Sequence, residues 1–529
     1  MARCEAAEGF LLCFGWISAT LYLFWLPVRA HHRPAMPVSS EENLPLYRQL
    51  ADHYQQAVAQ GVLLPGARMP SVRELMQRHG VSLSTALQAL RTLEEQGSVQ
   101  ARPRVGYFVQ DHRVHLLDHS SEPDPRCPVQ QIDGAQFAGI NERISLWLEQ
   151  GRRAQVRVDL GAAMPAPELF DHLTLNRVGA ALLREFPEVL VQGNSRPGTH
   201  PLFQAAMARQ ALEVGVNVAP QEVMATLGNS DAVNLALAAV TERGDVVAVE
   251  SPTFYGVLQA VETQNLRALE IPSSSRTGIS LDALELAVQS EPRLKAVVVV
   301  PHLQMPNGAL MPDSHKERLV AFCRRHQLAL IEDDIYRELV DAPVLQRPLK
   351  AWDETGQVIY CVSFNKTLAP GLRQGWMNGG RWHERIQILK FARTRNMQVW
   401  AQLLAARTVG TPAHERHLRR FRSALRVQRE RSVQMVARHF PQGTRLSVPP
   451  GGLSLWIELP AGVSSSLLFE QALALGIRVA PGPIFSNSGR YEGFLRLSCG
   501  LPFSPEVEWA YGELGRLLHE QAGAVRRAA

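Results

Sequence analysis

Residues 358–376 read VIYCVSFNKTLAPGLRQGW, and the body of the molecule can be read outward from them. The first five are an uninterrupted apolar run, as expected of a strand buried on both faces. The run ends at Ser363, Lys366 follows three residues later, and Arg373 comes seven residues after the lysine. Lysine is scarce in this chain: Lys295, Lys316, Lys350, Lys366 and Lys390 are the five, so 55 − 5 = 50 of the cationic side chains are arginine. A lysine delivered by a buried strand is partly desolvated, which lowers its pKa and favours Schiff-base chemistry. The other four have ordinary structural readings. Lys295 precedes a strand, Lys316 and Lys390 lie in helical polar patterns, and Lys350 sits in a loop.

Further apolar runs at 245–249, 296–300 and 328–331 are separated by amphipathic stretches. This alternation predicts a mostly parallel sheet covered on both faces, with functional loops at the carboxyl ends of its strands. The 328–331 run ends in Glu332-Asp333-Asp334-Ile335-Tyr336, which brings carboxylates and a phenol to one sheet edge. Between a short strand at 223–226 and a helix expected from about Asp231, Gly228-Asn229-Ser230 supplies backbone N–H groups suited to an anion. An acid behind one strand, a lysine behind the next and an arginine after it suit a cofactor with a basic ring nitrogen, an aldehyde and a phosphate. Pyridoxal 5'-phosphate has all three.

From about Val156 onward the chain resembles the fold-type I aminotransferases, most closely in SFNKTLAPGLRQGW. The resemblance implies Lys366 as the catalytic lysine that condenses with the cofactor, Asp333 on the pyridine nitrogen and Tyr336 on the ring hydroxyl. It further implies Ser363 and Arg373 on the phosphate, Phe254 of SPTFYG stacked on the ring, and Arg496 of FLRLS on an effector carboxylate through a bidentate pair. Two departures stand out. The family's Asn-Pro-Thr-Gly is Met305-Pro306-Asn307-Gly308, so Met305 replaces an amide on the ring hydroxyl. Gly193 stands where many relatives carry a tyrosine reaching the partner subunit's phosphate. Each loss weakens cofactor binding by about 1 to 3 kcal/mol if nothing compensates.

Residues 44–110 hold seven arginines, no lysine and four acids, a balance of 7 − 4 = +3. A helical stripe at 45–60 (Leu46, Leu50, Tyr54, Val58) is broken by Leu64-Pro65-Gly66. Ser71-Val72-Arg73-Glu74 is a capping box opening a short helix that Gly80 can close. A second helix, capped by Ser82, buries Ala86, Leu90 and Leu93 and is stopped by Gly97; runs at 98–102 and 106–109 then form a hairpin. The stretch GARMPSVRELMQRHGVSLSTALQALRTLEEQGSVQARPRVGYFV resembles the winged helix-turn-helix head of GntR-type bacterial repressors. That implies double-stranded DNA as partner, with Arg68, Ser71 and Arg73 on phosphates or base edges. Ser82, Ser84 and Thr85 would enter the major groove, and the wing tip of Arg102, Arg104 and Gly106 the neighbouring groove. Leu83 stands where the family commonly has arginine, so a bidentate contact to guanine is lost there.

A GntR-like head followed by an aminotransferase-like body resembles the MocR group of bacterial regulators. The expected fold is thus a winged helix-turn-helix domain plus an α/β fold-type I aminotransferase-like domain, a mostly parallel sheet flanked by helices with a smaller C-terminal α+β part. The expected divisions are 1–37, an apolar extension; 38–111, the DNA-binding domain; 112–155, a linker in which Ile140, Ile144, Trp147 and Leu148 recur at the spacing of a helix over 134–155; and 156–529, the cofactor domain. The resemblance implies a homodimeric transcription factor responding to pyridoxal phosphate or to an amino-acid or amine effector. The alternative is an aminotransferase with an appended DNA-binding module.

The net charge of +5 over 529 residues excludes a polybasic, histone-like protein. The six cysteines form no Cys-x-x-Cys pair, which argues against a disulfide framework or cysteine-rich zinc site and fits a reducing compartment. No metal site is expected, and the cytoplasm is the expected location. Residues 9–26 are uncharged and long enough to span a bilayer, so a membrane-tethered form holds if they are translated. The abrupt change of composition at Met36 suggests instead that translation begins there.

Overall fold

The computed structural model describes residues 45–59, 62–64, 66–95, 98–102, 105–109, 117–121, 135–137, 139–191, 198–341 and 345–528. Residues 9–26, Met36, Gly97, Arg104 and Gly193 lie outside them. No helix among the described residues is long and apolar enough to cross a membrane.

The head forms from local signals. Helix α1 (Leu46–Ala59) buries Leu50, Ala51 and Tyr54. Helix α2 (Val72–His79) has both halves of its capping box: Ser71 Oγ accepts the Glu74 N–H at 3.3 Å, and Glu74 Oε2 accepts the Ser71 N–H at 2.7 Å. Gly80 closes it at φ 65°, a left-handed conformation that glycine adopts without steric cost. Helix α3 (Leu83–Glu95) begins with Ser82 Oγ accepting the Thr85 N–H at 3.2 Å, and buries Ala86, Ala89, Leu90 and Leu93. Strands β1 (Val99–Arg102) and β2 (Gly106–Val109) pair antiparallel as the wing, Val99 opposite Val109.

In the body, β3 (Gln136–Phe137), β4 (Val158–Asp159), β5 (Met224–Thr226), β6 (Val246–Ser251), β7 (Arg267–Ser274) and β8 (Gly278–Ile279) precede β9 (Leu294–Val299), β10 (Ala329–Asp333), β11 (Val358–Ser363) and β12 (Gly375–Asn378). The main sheet runs β3-β7-β6-β9-β10-β11-β12-β5, with β8 on β7. Strands β7, β6, β9, β10 and β11 are mutually parallel, whereas β12 is antiparallel to both its neighbours. Alternate residues enter two cores, Val247 and Val249 one and Val246 and Ala248 the other, because successive strand side chains point to opposite faces. The apolar runs read from sequence coincide with β6, β9, β10 and β11.

The smaller part is an antiparallel sheet of β13 (Arg445–Ser447), β14 (Ser454–Glu458), β16 (Ala480–Pro481) and β17 (Phe494–Ser498), beside β15 (Ile477–Arg478), which pairs with β4. Its order is β13-β14-β17-β16. One boundary is corrected. The linker was expected to reach 155, but helix α4 (Ile140–Arg153) packs Ile140, Ile144 and Trp147 into the main core of the body. Its apolar face needs that cover, so the segment is structural. Residues 117–121 are also held, with the Leu446 N–H donating to Asp118 O at 2.8 Å along the open side of β13.

Candidate functional site

The carboxyl ends of β10 and β11, adjacent and parallel with Asp333 opposite Cys361, deliver Asp333, Ser363 and, after a turn, Lys366 to one edge of the sheet. The helix Asn229–Val240 points its amino terminus at the same place. It starts at Asn229, two residues before the expected Asp231. A cavity of about 320 Å³ opens here, lined by Asn229, Ser230, Phe254, Asp333, Tyr336, Lys366 and Arg373 among others. Seven residues predicted from distant parts of the sequence thus converge.

Gly228, at φ 92°, belongs to the same cup. A Cβ there would lie 3.3 Å from Ser363 Oγ, 3.4 Å from Asn365 Nδ2 and 3.9 Å from an Arg373 Nη, so the glycine leaves room beside three donor-bearing side chains. These groups and the helix amino terminus suit a phosphate. Beside the backbone N–H groups expected to face the anion, the Asn229 side chain has a task of its own: its amide donates to Asp333 Oδ1 and, at 3.3 Å, to Cys361 O. Burial pushes the Asp333 carboxyl up to about 6, against the Asn229 hydrogen bond, which holds it down. A basic ring nitrogen is the partner such a carboxyl lacks.

Burial, with Arg496 and Arg373 nearby, lowers the Lys366 ammonium to about 8 against the pull of Asp333. Lys366 Nζ donates to Ala163 O at 2.5 Å and to Met164 Sδ at 2.9 Å. Burial and the Asp333 charge raise the Tyr336 phenol, keeping it a donor. Arg496 is fully buried; one Nη donates to Gly161 O at 2.5 Å, while its Nε and other Nη have no partner. Asn229 Oδ1 and Asn365 Oδ1 are likewise buried without a partner. Unsatisfied buried groups around a lysine, an acid and a phosphate-shaped cup fit pyridoxal phosphate. When bound, the cofactor supplies an aldehyde and an electron-withdrawing ring. Met305 lines the cavity, its sulfur 3.3 Å from Ser454 Oγ.

Sequence reasoning missed several of the lining groups. Trp147 and Leu148 come from α4, and Arg478 comes from β15, its Nε donating to Asp159 Oδ1 at 3.0 Å. Nothing in their local sequence marks them. Lys316 and Lys390, given ordinary helical readings, are both buried. Lys316 Nζ lies 3.0 Å from His302 Nε2 and donates to Arg347 O at 2.7 Å. His302 Nδ1 lies 2.7 Å from Asp334, which also accepts from Arg337 and Tyr360. Against its burial, His302 and Arg337 hold the Asp334 carboxyl well below the usual range. His302, Glu332 and Asp334 have the spacing of a metal-ligand group, yet this cluster already contains its own cations.

In the head, Arg68, Arg73, Ser82, Ser84 and Arg102 are exposed. Arg68 bridges to Phe108, and its guanidinium lies beside Gly106, which is at φ 121°. The Arg102 guanidinium stacks 4.4 Å above the Phe108 ring. Ser71 Oγ accepts the Glu74 N–H as the cap of α2.

A winged DNA-binding head and an aminotransferase-like body define a class of two-part regulators. Residues 46–109 match the family described as bacterial regulatory proteins, gntR family, and residues 170–504 match aminotransferase class I and II. The chain is 35% identical over 475 residues to the uncharacterized HTH-type transcriptional regulator YdcR of Escherichia coli (strain K12), covering 90% of this chain and 99% of that one. The 2-aminoadipate transaminase of Thermus thermophilus is 32% identical over 368 residues, 68% of this chain and 90% of that one. Among solved structures, LysN, the alpha-aminoadipate aminotransferase of the same organism complexed with N-(5'-phosphopyridoxyl)-L-leucine, superposes with a TM-score of 0.65 at 28% identity. It covers 72% of this chain and 95% of that chain. The protein belongs to the MocR-type transcriptional regulators, in which a GntR head is joined to a pyridoxal-phosphate-binding aminotransferase body.

Proposed function

We propose that the protein is a DNA-binding transcriptional regulator whose body binds pyridoxal phosphate through Lys366, Asp333, Tyr336, Ser363, Arg373 and the 228–230 turn, with Phe254 against the ring. Arg496 receives the carboxylate of an amino-acid effector, and occupancy of the body changes operator affinity. One observation carries this reading: a capped, fully packed helix-turn-helix and a convergent cofactor cradle occur in one chain. The DNA contacts are those of Arg68, Arg73, Ser82, Ser84, Thr85, Arg102 and Arg104, with Gly106 shaping the wing tip and Ser71 setting the start of α2. Head and body correspond to 38–111 and 156–529, with α4 belonging to the body.

A route for the linkage runs across the smaller sheet. Ser120 Oγ lies 2.8 Å from Ser447 Oγ, Ser447 pairs with Trp456, and Trp456 pairs with Arg496. Ser121 donates through its N–H and Oγ to Glu458, fastening the tether to the same sheet. A ligand shifts such an equilibrium only as far as it prefers one arrangement. The working form is a homodimer in the cytoplasm, reading two half-sites.

The test titrates the protein with the DNA upstream of its own gene, at fixed salt, with and without pyridoxal phosphate. A cofactor-dependent shift absent from Lys366→Ala supports the regulator. The second reading, an active aminotransferase, is favoured by the joint presence of Lys366, Asp333, Tyr336 and Arg496. Steady formation of a keto acid from an amino acid, without specific DNA binding, would establish it instead.

A further inference from the structure

Leu83 opens α3 and is 55% exposed, whereas Leu90 and Leu93 of the same helix are fully buried and Leu87 is half-buried. Leu83 takes no part in the head's apolar core. Its neighbours are hydroxyls: Ser82 and Ser84 are exposed, and Ser82 Oγ lies 2.8 Å from both Ser84 Oγ and Thr85 Oγ1. The helix thus begins with one isobutyl group projecting beside a small polar network.

Leucine has neither donor nor acceptor, so it cannot read guanine N7 and O6, adenine N6 and N7, or cytosine N4. The apolar feature that the major groove does offer is the C5-methyl group of thymine. We infer that Leu83 is a specificity-determining residue that selects thymine at one position of the bound sequence by burying that methyl group. The serine and threonine hydroxyls beside it address adjacent phosphates or base edges. The inference rests on the proposed reading in which α3 enters the major groove.

The test is selection from a randomised duplex pool with the full-length, cofactor-loaded protein, its Leu83→Ala and Leu83→Arg variants run alongside. The wild type should enrich a motif with an invariant thymine that Leu83→Ala no longer demands and Leu83→Arg exchanges for guanine. Replacing that thymine by deoxyuridine removes the methyl alone. It should weaken wild-type binding roughly fourfold, the scale of one buried methyl group, and leave Leu83→Ala binding unchanged. Because Leu83 is exposed, unchanged melting and cofactor uptake will verify that the variants are folded. The same motif from wild type and Leu83→Ala, or equal affinity for thymine and deoxyuridine, would overturn the inference. Failure of the wild type to enrich any motif would overturn the DNA-binding reading and this inference with it.

Discussion

The head and the body reach order by opposite means. In the head, each element is set by residues a few positions away: Ser71 and Glu74 cap one another, Gly80 ends α2, and Ser82 starts α3. In the body, the important pairs are remote in sequence. Asn229 bonds Asp333 across 104 residues, and Lys366 reaches Ala163 across 203. A module with local determinants can fold alone and be joined to many sensors, whereas a site assembled from long-range contacts exists only when the whole body is folded.

The largest effect that tests this contrast is Lys366→Ala. It should abolish covalent cofactor uptake and any cofactor-dependent change in operator affinity, while basal DNA binding stays intact; absorbance and DNA titration read the two halves separately. Should basal DNA binding collapse as well, the two regions are not independent. Asp333→Asn removes the buried carboxylate that we assign to the ring nitrogen and should weaken cofactor affinity by roughly five- to 150-fold, about 1 to 3 kcal/mol, as measured by equilibrium binding.

A change at the tether comes next. Glu458→Ala deletes the acceptor for both Ser121 hydrogen bonds and should reduce the effector response several-fold with cofactor affinity preserved. An unaltered response would remove the smaller sheet from the linkage. In the head, Ser71→Ala should lower stability by about 1 kcal/mol, seen as an earlier melting transition of the head and an unshifted one of the body.

A further prediction concerns pH. With the ammonium of Lys366 lowered to about 8, protonation falls as pH rises through that value, so the nucleophilic amine accumulates. Cofactor uptake should therefore quicken by up to roughly tenfold between pH 7 and 9 and then level off. A rate that continued to climb toward pH 10.5 would indicate a solvated lysine.

Strands β6, β9, β10 and β11 were legible because each is a short apolar run bounded by polar residues, and the head because capping and breaking residues act within a few positions. Lys366, Asp333 and Arg373 were legible because strand ends in such sheets share an edge. The place of α4 was not: its stripe of Ile140, Ile144 and Trp147 predicts a helix with an apolar face but does not say what covers it. The bond from the side-chain amide of Asn229 to a carboxylate on another strand was not legible either, because the sequence pattern speaks only for the backbone N–H groups of that turn.

By itself the sequence determined the two-part architecture, the head's elements and the residue types that meet at the cavity, because propensity, capping and strand periodicity are local properties. Tertiary structure alone decided that Lys316 is buried against His302, that Trp147 and Arg478 line the cavity, and that the tether lies along β13. The physical reason is that desolvation and hydrogen-bond partnership depend on what the rest of the fold brings near a side chain. No window of neighbouring residues carries that information.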